Sequence, residues 1–320
     1  MKLLVTGCTG FVGQYVKEHF PKVFSLINEK GLIDLRDRDS LHQFIAHLRP
    51  DKIIHLAAQA FVPESFKDPR TTFDINFIGT LNLLMALEKA QFKGKMLYIG
   101  TGDMYGMVPS NMLPIVETYP LSPRSPYSVS KMAAEGLCFQ WSQTADFEIT
   151  MTRPFNHIGA RQNERFVVSN FAKQVAEIKL GLSSPILHVG DIDVTRDFTD
   201  VGDVVRAFDS LLKDGKNGET YNICSGKEHS LREVIEILLS IASVKASIQQ
   251  DSTRMRKNEH RRIRGSFEKI QNTTGWKPHI SLEKSLLSLL QYWEKVLYEK
   301  TSINHRNNRT RRRLSSRTST

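Results

Sequence analysis

Apolar runs and amphipathic stretches alternate along the first half of the chain. Strand-like patterns occur at 2–6, 23–27, 31–37, 52–56, 95–99 and 148–152. Helical spacing of three and four occurs at 14–20, 40–49, 74–90 and 126–142. Short apolar runs bounded by turn residues fit strands covered on both faces, and the longer periodic runs fit helices with an apolar stripe. Six such alternations without an internal repeat predict an α/β fold built on a doubly wound parallel sheet. Ser40, just before Leu41, reads as a helix cap. Beyond residue 160 the pattern loosens into a helix at 166–180, a strand at 187–189 and a helix at 203–212. We therefore expect a first domain over 1–160, with 190–225 partly returning to it. A smaller interleaved α/β lobe is expected over 161–300, and a disordered basic tail over 301–320.

The turn after the first strand changes the picture. Gly7, Gly10 and Gly13 form a G-x-x-G-x-x-G that opens a helix, with Thr9, Phe11 and Val12 between them. Glycines here let the chain turn sharply and let a pyrophosphate approach the amides of the helix start. A plain tight strand–helix turn is the alternative. An NAD-preferring site usually has an acid at the end of the second strand; Asn28 stands there, with Lys30 and Arg36 nearby. Without the acid a 2′-phosphate is not repelled, so NADP(H) is the expected cofactor, with NAD(H) left open. Asp34 and Leu35 are placed to flank an adenine. Ala57, Ala58 and Gln59 follow a strand end, where small residues leave room for a cofactor or simply for close packing. Asn76 falls on a helix face otherwise set for the core, so its amide needs partners.

Candidate chemistry lies further on. Thr101 is at the carboxyl end of a strand, where open α/β sheets bind ligands. Tyr127 and Lys131 are four apart, one turn on a helix. An ammonium beside a phenol favours the phenolate, so the Tyr127 pKa is expected to fall, as a general acid–base requires. Chance spacing on an amphipathic helix is the competing reading.

Charge and cysteine content narrow the classes. Of the formal net charge of +10, six arginines lie in the last twenty residues, which hold no acid; +4 remains for the rest. That tail lacks aromatic residues, which argues against nucleic-acid binding. Three widely spaced cysteines fit a reducing cytoplasm better than a disulfide framework or a zinc site, and no metal is expected. No apolar run is long enough to span a bilayer, so no membrane partner is expected.

Taken together, Thr6-Gly7-x-x-Gly10-Phe11-x-Gly13, His55-Leu56-Ala57-Ala58, Thr101 with Tyr105-Gly106, Tyr127-x3-Lys131 and Arg153-Pro154-Phe155-Asn156 resemble the extended short-chain dehydrogenase/reductases that act on nucleotide sugars. The resemblance covers residues 1 to about 298 and implies a Rossmann-type fold. It implies Thr101, Tyr127 and Lys131 as catalytic residues. Leu56, Asn76, Tyr127, Lys131 and Pro154 join the glycine loop in holding the cofactor.

Finer blocks are similar to the branch that reduces GDP-4-dehydro-6-deoxy-D-mannose: 153–159, 190–201, 221–226 and 274–278. The related 4,6-dehydratases are the main rival. The short span from Asn28 to Asp37 favours the reductases, because dehydratases of this likeness carry a longer basic loop there. The same resemblance implies a GDP-linked 4-keto-6-deoxy sugar as partner, contacted by Thr101, Gly102, Asp103, Tyr127, Asn156, Arg161, Val189 and Arg196. It extends the contacts to Arg256, Lys257, Asn258 and Glu259, where Lys257 replaces the proline of relatives. Ala160 replaces a proline after Gly159, loosening that loop. Apolar residues on more than one face of the helices 74–90 and 126–142 predict a homodimer. Two other classes remain open at this point: a catalytically silent cofactor-binding sensor, and a scaffold anchored through the basic tail.

Overall fold

The structure is a computed structural model that describes residues 1–29, 31–251 and 261–315, with side chains as far as residue 302. In chain order the elements are β1 (Leu3–Thr6), α1 (Phe11–His19), β2 (Val23–Ser25), β3 (Ile27–Asn28), β4 (Gly31–Leu32), α2 (Arg38–Leu48), β5 (Lys52–His55), α3 (Val62–Lys67) and α4 (Pro69–Phe73). There follow α5 (Gly79–Lys89), β6 (Lys95–Ile99), α6 (Pro126–Thr144), β7 (Glu148–Pro154), β8 (Asn156–Ile158), α7 (Val167–Lys179) and β9 (Ile186–Val189). The rest are β10 (Thr195–Asp200), α8 (Val201–Asp214), β11 (Thr220–Ile223), β12 (Glu228–Ser230), α9 (Leu231–Ala242), β13 (Ser247–Gln250), α10 (Glu268–Thr274) and α11 (Leu282–Ser315).

The chain forms two compact units. The first comprises 1–157, 195–228 and 260–280; the second comprises 158–194, 229–259 and 281–320. Residues 260–280 thus belong with the first unit, where the sequence pattern had put them in the lobe.

The first unit is built on a six-stranded sheet in the order β11-β7-β6-β5-β1-β2, all parallel. Alternating side chains feed two cores. Leu4, Ile53, Met96, Tyr98 and Ile149 pack under α2, α5 and α6. Leu3, Val5, Ile54, Leu97, Tyr221 and Ile223 pack under α1 and α8. Burial on both faces explains why these strands read as continuous apolar runs.

Three local expectations need correction. The strand expected at 31–37 is not in the sheet: only Gly31–Leu32 is extended, in an antiparallel pair with Ile27–Asn28. Ile33 and Leu35 still bury in the core, so the alternation reflects packing of a loop. The sixth sheet strand is instead β11, from far along the chain. The cap of α2 is Asp37, which accepts from the Ser40 amide at 3.1 Å; Ser40 lies inside the first turn. The backbone of 301–315 continues α11 as helix, where charge alone predicted a disordered tail.

In the second unit α7, α9 and α11 pack together, and β9 pairs in parallel with β13. Trp293 donates its indole N–H to the Ser169 hydroxyl at 3.0 Å, joining α11 to α7.

Candidate active site

β1 has β2 on one side and β5 on the other, so the order of the sheet reverses there. The carboxyl ends of strands at such a reversal are where open α/β sheets hold ligands. Gly7 leaves β1 at φ +70°, and a Cβ on it would come within 2.7 Å of the Ala57 nitrogen. Only glycine allows both the left-handed turn and that approach. A Cβ on Gly13 would come within 2.5 Å of the Gly7 carbonyl oxygen. No side chain caps α1, so its opening amides are left without a side-chain acceptor at the glycine loop. This cradle fits the pyrophosphate of a dinucleotide.

Below the cradle runs a chain of buried polar groups. The Ala57 amide donates to the Thr6 hydroxyl at 3.1 Å, and Thr6 meets His55 Nδ1 at 2.7 Å. His55 Nε2 meets the Thr80 hydroxyl at 2.9 Å, and Thr80 donates to the Asn76 carbonyl at 2.7 Å. Because the Thr80 proton is used on that carbonyl, Nε2 carries the histidine proton and Nδ1 accepts from Thr6. Burial, then the nearby Lys131 charge, lowers the His55 pKa to about 3, so the ring stays neutral.

Asn76 lies in a π-helical turn, Asp74–Ile78, just before α5. Its amide donates to the Gln59 carbonyl at 3.1 Å and to the Ser130 hydroxyl at 3.0 Å, and its side-chain oxygen accepts from the Gln59 amide at 2.8 Å. Ser130 in turn donates to the Tyr127 carbonyl at 2.7 Å. One side chain thus ties the loop after β5 to the start of α6, giving the buried amide the partners it needs.

α6 begins with a capping box in which Ser125 and Ser128 satisfy each other's backbone amides, with Pro126 in the first turn. This fixes where Tyr127 and Lys131 emerge. Both lie on the buried face, at 9% and 3% exposure, and Thr101 at the end of β6 is 8% exposed. Burial, then the Asp103 carboxylate, pushes the Tyr127 phenol above its ordinary value, against a smaller opposite pull from Thr101. The expected lowering by Lys131 is therefore corrected: this phenol holds its proton. Lys131 itself is lowered by burial to about 8, with Cys138 and Glu135 pulling the other way. Its ammonium lies 4.5 Å from the centre of the Tyr98 ring.

The block that begins at Arg153 includes a buried support. Arg153 makes a forked contact with Glu135 (Nη2–Oε1 2.6 Å; Nε to both oxygens 3.2 Å). It also donates to the Tyr105 hydroxyl at 2.9 Å, and Tyr105 donates to Asn222 at 2.7 Å. No spacing in the chain signals this support, because Tyr105, Glu135, Arg153 and Asn222 come from four separate stretches. Tyr98 was also missed; its place on β6, in step with Met96, is the signal that it faces α6.

The other expected residues divide. Leu56, Ala57, Ala58 and Gln59 form the loop against the glycine turn, and Pro154 ends β7. Thr9 and Gly10 are exposed, and Phe11 stacks on His157 with centroids 6.1 Å apart. Asn28 is exposed on β3, while Leu35 is a core residue packed against Gly79. Asp34 is engaged by Arg36 through Nε and Nη2, at 2.6 Å for the shorter contact, so Arg36 does not simply face solvent. Lys30 lies outside the described residues. Asn156 is exposed, and Gly102 faces the Phe155 ring. Arg196 is buried and donates to the Thr195 carbonyl at 2.8 Å. In the second unit Val189 has its side chain fully buried and Arg161 adopts φ +71°. Arg256, Lys257, Asn258 and Glu259 lie outside the described residues. Among the described residues no group of three His, Cys, Asp or Glu side chains is arranged for a metal ion, and no helix is long and apolar enough to cross a membrane.

Comparison with known proteins adds to this geometry. The family model for GDP-mannose 4,6 dehydratase matches residues 28–288. The GDP-6-deoxy-D-mannose reductase of Pseudomonas aeruginosa is 47% identical over 301 residues, 93% of this chain and 99% of that enzyme. The GDP-mannose 4,6 dehydratase 1 of Arabidopsis thaliana is 30% identical over 257 residues, 78% of this chain and 70% of that protein. The solved structure of RMD from Pseudomonas aeruginosa complexed with NADPH superposes with a TM-score of 0.86 at 45% identity, covering 92% of this chain and 99% of that one.

Proposed function

This chain belongs to the GDP-mannose 4,6-dehydratase family of extended short-chain dehydrogenase/reductases, and on that premise we propose that it is an NADPH-dependent reductase. It reduces the 4-keto group of GDP-4-dehydro-6-deoxy-D-mannose to give GDP-D-rhamnose. The observation that carries this reading is the 47% identity to a GDP-6-deoxy-D-mannose reductase along almost its whole length, against 30% to a dehydratase over a shorter span.

The residues of the first unit have the chemistry the reaction needs. The glycine turn and the start of α1 bind the pyrophosphate, and Lys131 holds the nicotinamide-ribose hydroxyls. Bound NADPH supplies a hydride to C4. Tyr127 gives the proton from its Oη to the C4 oxygen, and its raised pKa keeps that proton in place until negative charge develops there. Thr101 donates a hydrogen bond to the same oxygen, stabilising charge as it grows. Addition of one hydride and one proton converts the ketone to the alcohol. Asn28 stands where an NAD-preferring site usually has an acid, which leaves a 2′-phosphate unrepelled and supports NADPH over NADH.

Gly102, Asp103, Asn156 and Arg196, all of the first unit, are the substrate contacts in this reading. The protein works as a homodimer through α5 and α6, whose outer faces carry Met85 and Phe139. A cytoplasmic location fits three buried free thiols.

The test is direct. Purified protein is given NADPH and GDP-4-dehydro-6-deoxy-D-mannose, and the sugar product is identified. Loss of NADPH with formation of GDP-D-rhamnose supports the reading. Unchanged NADPH, or conversion of GDP-mannose to its 4-keto-6-deoxy product, overturns it.

A further inference from the structure

Lys131 is in an unusual place for an ammonium. It is almost wholly buried, and no ion pair to it occurs among the described residues. What lies against it is Tyr98. The ring of Tyr98 faces the ammonium with 4.5 Å to its centre. The hydroxyl of the same residue donates to the Lys131 carbonyl at 3.0 Å. Tyr98 is itself fully buried, one residue from the end of β6, which is flanked by β5 and β7, so its ring is held in place by the sheet. It therefore touches Lys131 at both ends: the charged head through the face of the ring, and the helix backbone through the phenol.

We infer that Tyr98 is a positioning residue for Lys131, its ring face holding the ammonium and its hydroxyl fixing the height of α6. The inference rests on the reductase reading only for what Lys131 then does. The face of an aromatic ring carries negative potential and attracts a cation, most strongly where water is excluded. A compact ammonium has no fixed donor geometry of its own, so a ring beneath it supplies an aim that a neutral aliphatic residue would not. The other titratable groups around Lys131 are Glu135 and Cys138 on α6 and His55 on β5. His55 is kept neutral by burial, and its ring lies 6.0 Å from that of Tyr98. Tyr98 is therefore the group of β5 and β6 that favours the charged lysine.

The test separates ring from hydroxyl. Phenylalanine at 98 keeps the ring and removes the hydroxyl; a series of increasingly fluorinated phenylalanines then drains the ring face of negative potential at nearly constant shape. Lys131 is followed by NMR in lysine-labelled protein, with its signal assigned by Lys131→Arg. The expected result is a stepwise fall in the pH at which Lys131 titrates, about half a pH unit from phenylalanine to its trifluoro form. The same series raises KM for NADPH in step, while Tyr98→Phe alone lowers kcat about fivefold through the lost hydrogen bond. A lysine signal that titrates at one pH throughout the series overturns the inference. Because that readout needs no sugar substrate, it stands or falls separately from the reductase assay.

Discussion

Asn76 reaches across 54 residues of sequence to give a hydrogen from its amide to the Ser130 hydroxyl at 3.0 Å. That bond, with two more to Gln59, makes a single amide the junction between the loop beside the glycine turn and the helix that carries Tyr127 and Lys131. Asn76→Ala leaves the Gln59 amide without its acceptor. The expected cost is about 1–3 kcal/mol, with a melting temperature lower by several degrees. We expect kcat to fall with it, since α6 loses its register. Thermal unfolding and steady-state kinetics on the variant check this; a normal kcat would show that the junction matters to stability alone.

Tyr127→Phe removes the proton donor while keeping the ring. Turnover should fall by about 10²–10⁴-fold, the usual share of a general acid. NADPH should still bind, as a fluorescence titration would show. Turnover within a few-fold of the parent would remove Tyr127 from the mechanism.

Glu135 and Arg153 form an ion pair inside the first unit, both side chains 8% exposed. Losing one partner strands the other charge in a dry place. Glu135→Leu or Arg153→Met alone should each destabilise by roughly 3–5 kcal/mol, and the Glu135→Leu/Arg153→Met double variant by clearly less. Urea denaturation of the three variants measures it. Additive losses would mean that the pair is not coupled.

Asp197 is buried and accepts from the Ser225 amide and hydroxyl and from the Gly226 and Gly265 amides. Burial raises its pKa to about 6 from 3.8, against the pull of those donors. The folded state therefore holds this proton more tightly than the unfolded chain. Its contribution to stability is complete below about pH 4 and is lost as pH rises through about 6, a swing of roughly 3 kcal/mol. Asp197→Asn should flatten the dependence of unfolding free energy on pH in that window. A slope equal to that of the parent would place the titration elsewhere.

Phe139 is 53% exposed and Met85 is 39% exposed, on neighbouring helices. If α5 and α6 form the dimer, Phe139→Glu should shift sedimentation from dimer to monomer at micromolar concentration, with the fold retained by circular dichroism. A parent protein that already sediments as a monomer would end the dimer proposal.

How far these features could be read from sequence depended on range. The glycine turn and the Tyr127–Lys131 spacing are local, so their elements followed from neighbouring residues. The strand expected at 31–37 did not form because Ile33 and Leu35 satisfy the same alternation by packing as a loop. Ser40 and Asp37 are both good caps, and only the backbone angles decide between them. The protonation of Tyr127 went the other way from expectation because one charge, Lys131, was weighed without burial or Asp103. The Arg153 support was invisible because no spacing rule links Tyr105, Glu135, Arg153 and Asn222.

The sheet order carries a consequence for synthesis. β11 pairs with β7, yet 65 residues separate the end of one strand from the start of the other, and α10 emerges later still. A nascent chain that has left the ribosome only as far as β7 therefore presents a bare backbone edge in a sheet of five strands. Until translation delivers β11, that edge is open to any other extended peptide, so this is the interval in which a chaperone has most to protect.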